Sequence, residues 1–159
     1  LICRNHGLTL GMDELIAAAV EEKRGLMAQT GYIPMPGARE IVARLGRRAP
    51  LAVVSGASRV EVAEAVESLG LTSSFAFLMG AEDYERGKPH PEPYLLAAAL
   101  LGADPARCLV FEDSEPGAEA ARAAGCTVIQ VPDILPTDGR HAHHVARDLI
   151  NGARLVGLI

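Results

Sequence analysis

Apolar and polar positions change period repeatedly along this chain. They alternate between the 3.6-residue recurrence of an amphipathic helix and the short unbroken runs of buried strands. Over 12–29, Leu15, Ile16, Ala19, Val20, Leu26 and Met27 recur at helical spacing and predict a helix. Residues 31–37 (GYIPMPG) are rich in breakers, and a second helix is predicted over 38–47. The run 51–54 (LAVV) reads as a strand ending at Ser55-Gly56-Ala57-Ser58. A helix over 60–69 follows, with Val62, Ala63, Val66 and Leu69 on one face. Then come a strand at 75–79, a polar, proline-rich loop at 81–93, and a helix over 94–101 entered near Pro91. A strand at 108–111, a helix at 116–124 and a strand at 127–131 complete the pattern. The tail is predicted as loop over 132–144 and helix over 145–150.

Strands alternating with helices predict an α/β fold built on a doubly wound, mostly parallel sheet. The 159 residues suffice for one domain with a sizeable core. The chain is 49% hydrophobic but has no tryptophan, so alanine, leucine and valine must build that core. A net charge of −5 without a basic stripe argues against nucleic acid as a partner, but not against a small phosphorylated ligand. No apolar run approaches the ~20 residues that span a bilayer, so no membrane partner is expected. The cysteines Cys3, Cys108 and Cys126 are odd in number and lack C-x-x-C spacing; free thiols and a cytoplasmic setting are expected. A monomer or weak homodimer is expected.

The candidate chemistry sits at strand ends. In 109–125 (LVFEDSEPGAEAARAAG) a short apolar run delivers two adjacent carboxylates, Glu112 and Asp113, to the edge where open α/β sheets place their ligands. Two neighbouring acids repel unless a cation or proton lies between them, and Mg²⁺ suits one or two carboxylates. Solvated loop acids or a helix cap are the alternative. Ser55, Gly56 and Ala57 enter a helix N-terminus, a ready anion site, although a plain capping serine also accounts for Ser55. Lys88, locked in GKPHPEPY between glycine and prolines, could neutralise a phosphoryl group; a solvated loop lysine is the alternative. The His141, His143 and His144 cluster has no carboxylate or thiol at ligand spacing and reads as a solvated loop.

Taken in order, strand-Ser55-Gly56, Gly87-Lys88-Pro89 and strand-Glu112-Asp113-Ser114 resemble the second, third and fourth motifs of the haloacid dehalogenase superfamily. The similarity is greatest to its small helical-cap branch, which includes β-phosphoglucomutase-like enzymes and sugar-phosphate phosphatases. GKPHPEPYLLAAALLG and VFEDSEPGAEAARAAG carry it. The resemblance implies a partial helical cap over 1–35 and a Rossmann-like core over 36–159. It implies that Ser55, Gly56 and Ala57 hold phosphoryl oxygens, that Lys88 steadies the phosphoryl group and the nucleophile, and that Asp113 ligates Mg²⁺. Glu112 would ligate the ion or orient its water. The implied reaction is phosphoryl transfer through an aspartyl-phosphate, ending in hydrolysis of a small phosphorylated metabolite such as a sugar phosphate. A phosphomutase and a non-catalytic binding domain are the alternatives.

One departure stands out. The family's first motif, D-x-D-G-T, supplies the nucleophile, and no two of the aspartates at 13, 83, 104, 113, 133, 138 and 148 are spaced D-x-D. In the family that motif lies on a central strand between the Ser55 and Glu112 strands. Losing a central strand orphans buried backbone groups at about 1–3 kcal/mol each, against net stabilities of about 5–15 kcal/mol. The chain also opens on Leu1 rather than methionine. The expectation is therefore a fragment of an active-type enzyme whose core lacks its first strand.

Overall fold

The computed structural model describes residues 11–133 and 135–159. Cys3 and the first ten positions of the expected cap lie outside the described residues. The chain forms two compact units, Leu1–Ile33 and Pro34–Ile159. The described part of the first is one helix, α1 (Met12–Thr30), with Asp13 and Glu14 in its first turn. The Gly11 N–H donates to the Glu14 carboxylate (3.0 Å), and acids at this end favour the helix dipole. The apolar residues Ile16, Val20 and Leu26 of α1 are exposed.

In the second unit the elements run α2 (Ala38–Leu45), β1 (Ala52–Val54), α3 (Arg59–Ser68), β2 (Phe77–Met79), α4 (Glu92–Leu100), β3 (Leu109–Glu112), α5 (Glu115–Ala123), β4 (Thr127–Gln130), β5 (His144–Val145) and α6 (Leu149–Leu155). All strand pairs are parallel. β1 pairs with β2, aligning Val54 with Met79, and β3 pairs with β4, aligning Glu112 with Gln130.

Side chains alternate across β3 and β4 with the period of two that a pleated strand imposes. Cys108, Val110, Cys126 and Val128 face a cluster with Tyr94 and the alanines of α5. Leu109, Phe111, Ile129 and Val131 face a second cluster with Met35, Ala146 and Leu149. Both faces of the sheet are thus covered, as in a doubly wound α/β core. Val128 and Ile129 are fully buried, each contributing about 1.5–3 kcal/mol of apolar burial. Ala118, Ala120 and Ala121 are also fully buried, so small side chains let α5 sit close to the sheet.

The tail differs from its sequence-based expectation. His144 and Val145, expected as the end of the loop and the start of the helix, form a strand aligned with Ile129 and Gln130. The ladder extends through His143 N–H to Val128 O (2.9 Å) and Ala146 N–H to Gln130 O (2.8 Å). It gives the buried edge of β4 backbone partners. The helix begins later, at Leu149, where the Asp148 side chain accepts from the Asn151 N–H (2.6 Å).

Among the described residues the strands form two sheets, β1-β2 and β3-β4-β5. No ladder joins β1 to β3. A cavity of about 510 Å³ lies there, bordered by Ala52 and Val54 on one side and Leu109, Val110 and Phe111 on the other. Residues of α2 and α4, among them Ile41 and Ala97, close it. No helix of the described residues is long and apolar enough to cross a membrane.

Candidate active site

Lys88 connects the two sheets. Its Nζ donates to the carbonyl of Val54, the last residue of β1 (3.0 Å), and to the carboxylate of Glu112, the last residue of β3. The strands therefore end at the same edge, joined by a lysine that is only 14% exposed. Nζ also stands 5.0 Å from the centre of the Tyr94 ring, a cation–π distance.

Glu112 is the most constrained group here. It is 8% exposed, and a carboxylate so placed needs partners for its lone pairs. Oε1 accepts from Lys88 Nζ and from the Tyr94 hydroxyl, and Oε2 accepts from Ser114 Oγ (3.1 Å). Ser114 also caps α5, accepting from the Gly117 N–H (3.2 Å). Gly117 leaves the necessary room: a Cβ there would stand 2.0 Å from Glu112 Oε2. Burial first, and then the charge of Glu112, push the Tyr94 hydroxyl far above its ordinary range, so it serves as a donor.

Asp113 turns outward from the same strand end and is exposed. Its pKa is raised, first by desolvation of its carboxylate and then by the charge of Glu112, with Lys88 acting in the opposite sense. A bound cation would relieve this crowding. Among the described residues, no group of three or more His, Cys, Asp or Glu side chains could enclose a metal. The donor set fits Mg²⁺ nonetheless, because that ion takes hard oxygens and keeps waters and phosphate oxygens beside one or two carboxylates. Both Glu112 oxygens already accept hydrogen bonds, whereas Asp113 is exposed beside them.

Ser55 follows β1, and its N–H continues the ladder to Met79 O (3.0 Å). Its Oγ accepts from the Ala57 N–H (3.1 Å). The cap of α3 is Ser58, which accepts from the Glu61 N–H (3.3 Å) while Glu61 answers to the Ser58 N–H (3.0 Å). Ser55 is thus not the capping serine, and the plain-cap alternative falls to Ser58. Tyr84 Oη donates to the Ser55 carbonyl (2.9 Å), fastening the Lys88 loop to the Ser55 loop.

Ser55, Gly56, Ala57, Lys88, Glu112 and Asp113 therefore gather at one edge. The roles of Tyr84, Tyr94 and Gly117, and the bond from Ser114 to Glu112, are not readable from the sequence pattern. The one available signal was that a buried tyrosine needs a partner for its hydroxyl. The histidines stand apart: the Val128 N–H donates to His143 Nδ1 (3.0 Å), and His141 Nε2 lies 3.9 Å from Glu119.

A lysine thus bridges two parallel strand ends of an α/β core beside the exposed Asp113. Residues 2–125 match the model of the haloacid dehalogenase-like hydrolases, and the chain belongs to that family. It is similar to the bifunctional riboflavin kinase/FMN phosphatase of Arabidopsis thaliana, 38% identical over 119 residues, covering 74% of this chain and 31% of that protein. It is also similar to hexitol phosphatase B of Escherichia coli, 38% identical over 125 residues, covering 76% of this chain and 53% of the relative. The fold matches a CbbY variant from Rhodobacter sphaeroides, solved with xylulose-(1,5)-bisphosphate. That match has a TM-score of 0.75 and 26% identity, over 88% of this chain and 65% of that one. The chain spans roughly a third to a half of the curated relatives' lengths (31% and 53% for these two).

Proposed function

We propose that this chain supplies most of a Mg²⁺-assisted phosphoryl-transfer site that hydrolyses a small phosphate monoester, such as a sugar phosphate, through an aspartyl-phosphate. One observation carries the reading. The Ser55 loop, Lys88 and the Glu112-Asp113 pair meet at one sheet edge, with Lys88 bonded to both half-sheets. The hexitol phosphatase relative and the sugar bisphosphate in the CbbY structure support the substrate class.

Ser55 Oγ accepts from the Ala57 N–H, so its own proton can turn to a phosphoryl oxygen, joined by the Gly56 N–H. Lys88 offsets negative charge where the phosphoryl group and its attacking carboxylate meet. Asp113 would hold Mg²⁺, which when bound adds charge stabilisation to the phosphoryl oxygens. Glu112 keeps the Lys88 ammonium at the mouth.

No residue of this sequence is assigned as nucleophile. We assign that carboxylate to a further strand between β1 and β3, a place supported by the cavity there and by Lys88 above it. Its oxygen would bond to phosphorus as the ester P–O bond breaks and the substrate's alkoxide takes a proton from solvent and leaves as the alcohol; water would then attack the phosphorus, freeing the carboxylate and releasing inorganic phosphate.

Phosphate release from a panel of sugar phosphates tests the reading. The chain together with the polypeptide supplying the strand should turn over with Mg²⁺ and stop with a chelator. Asp113→Asn should lose at least about 100-fold. The 159-residue chain alone should release none. Turnover by pure chain alone, or full activity in Asp113→Asn, would contradict the assignment.

A further inference from the structure

We propose that Tyr94 is a positioning residue that sets the Lys88 ammonium through Glu112; this rests on the reading of Lys88 as the cation facing the phosphoryl group. Three observations converge. The Tyr94 hydroxyl and Lys88 Nζ donate to the same oxygen, Glu112 Oε1. The Tyr94 ring stands 5.0 Å from Nζ. Tyr94 itself is 5% exposed and packed against the alanines of α5, so its hydroxyl has little freedom to leave.

The physical argument concerns how Oε1 divides its charge. A buried carboxylate with one cationic partner draws it in as far as geometry allows. The Tyr94 hydroxyl satisfies part of Oε1, and Ser114 satisfies Oε2. Lys88 is then left to share its protons between Glu112 and the Val54 carbonyl (3.0 Å). That sharing keeps Nζ bonded to the Val54 carbonyl at the end of β1 as well as to Glu112 at the end of β3. Gly117 fixes the other side, since any larger residue would push the carboxylate out of reach. Without the hydroxyl, Oε1 has Lys88 as its only donor and draws the ammonium's protons away from the Val54 carbonyl.

The chain has only two lysines, Lys23 and Lys88, so side-chain ammonium NMR of ¹⁵N-labelled protein reports Lys88 directly. In Tyr94→Phe the Lys88 resonance should move, and its ammonium exchange with water should change by about 10-fold, the equivalent of one charged hydrogen bond. In a Glu112→Gln background the same substitution should leave Lys88 unmoved, because the coupling runs through Glu112. An unchanged Lys88 signal in Tyr94→Phe overturns the proposal, as does an equal change in both backgrounds. Should Glu112→Gln fail to fold, Ser114→Ala provides the second background: there Tyr94→Phe must have a larger effect on Lys88, and an equal one overturns the proposal. Failure of the reading beneath it is seen separately, as retained phosphate release in Lys88→Met.

Discussion

Cys126 shows what burial does to a single ionisable group in this core. The thiol is 2% exposed, and its pKa is pushed up to about 11, first by desolvation and then by Cys108. The thiolate is the reactive form, so at pH 8 the folded chain should react with an aromatic disulfide at Cys126 about 100-fold more slowly than the unfolded chain. Equal rates would mean that the thiol is open. The same shift predicts a stability change. A thiol pKa raised by folding contributes fully below its unfolded value and loses that contribution as pH rises through about 11. The site residues divide by how local their signal is. Lys88 and Glu112 are legible because rigid prolines or a strand end mark them within a few positions. Tyr94 and Tyr84 are not, since their partners lie 18 and 29 residues away and only the fold brings them together.

Helix α5 carries the closest packing of any element at the site. An alanine in place of a helical glycine ordinarily gains about 1 kcal/mol of propensity. At Gly117 the added Cβ would meet Glu112 Oε2 at 2.0 Å, so overpacking of about 1–3 kcal/mol should prevail. Gly117→Ala should therefore lower the thermal midpoint and disturb the Lys88 ammonium signal; a raised midpoint would contradict the close approach. The alanine-rich sequence made α5 easy to foresee. β5 was not, because two residues are too short to show a period, and its reason for being a strand lies in the buried edge of β4, whose backbone groups it pairs. The same tertiary demand converted the expected 145–150 helix into a strand, a turn and a later helix.

At the scale of the whole molecule, the alternation of strand and helix was legible, and so was the edge at which the candidate residues meet. The separation of β1 from β3 has no signal in the local pattern and follows only from the family resemblance, because pairing between strands far apart in sequence leaves no local trace. β1 and β3 end together beneath one lysine, yet they face each other across a cavity instead of a ladder. This geometry makes Lys88 the centre of the account: it touches both half-sheets, the buried carboxylate and the tyrosine ring. The most direct test replaces it by methionine, which keeps the stem packed over Tyr94 and removes the charge. Phosphate release with Mg²⁺ is then measured in the chain joined by the polypeptide supplying the proposed strand, with thermal unfolding to verify the fold. The account predicts a loss of at least about 100-fold in a folded Lys88→Met protein; turnover within about two-fold of the parent, far less than loss of such a charge would cause, would contradict it.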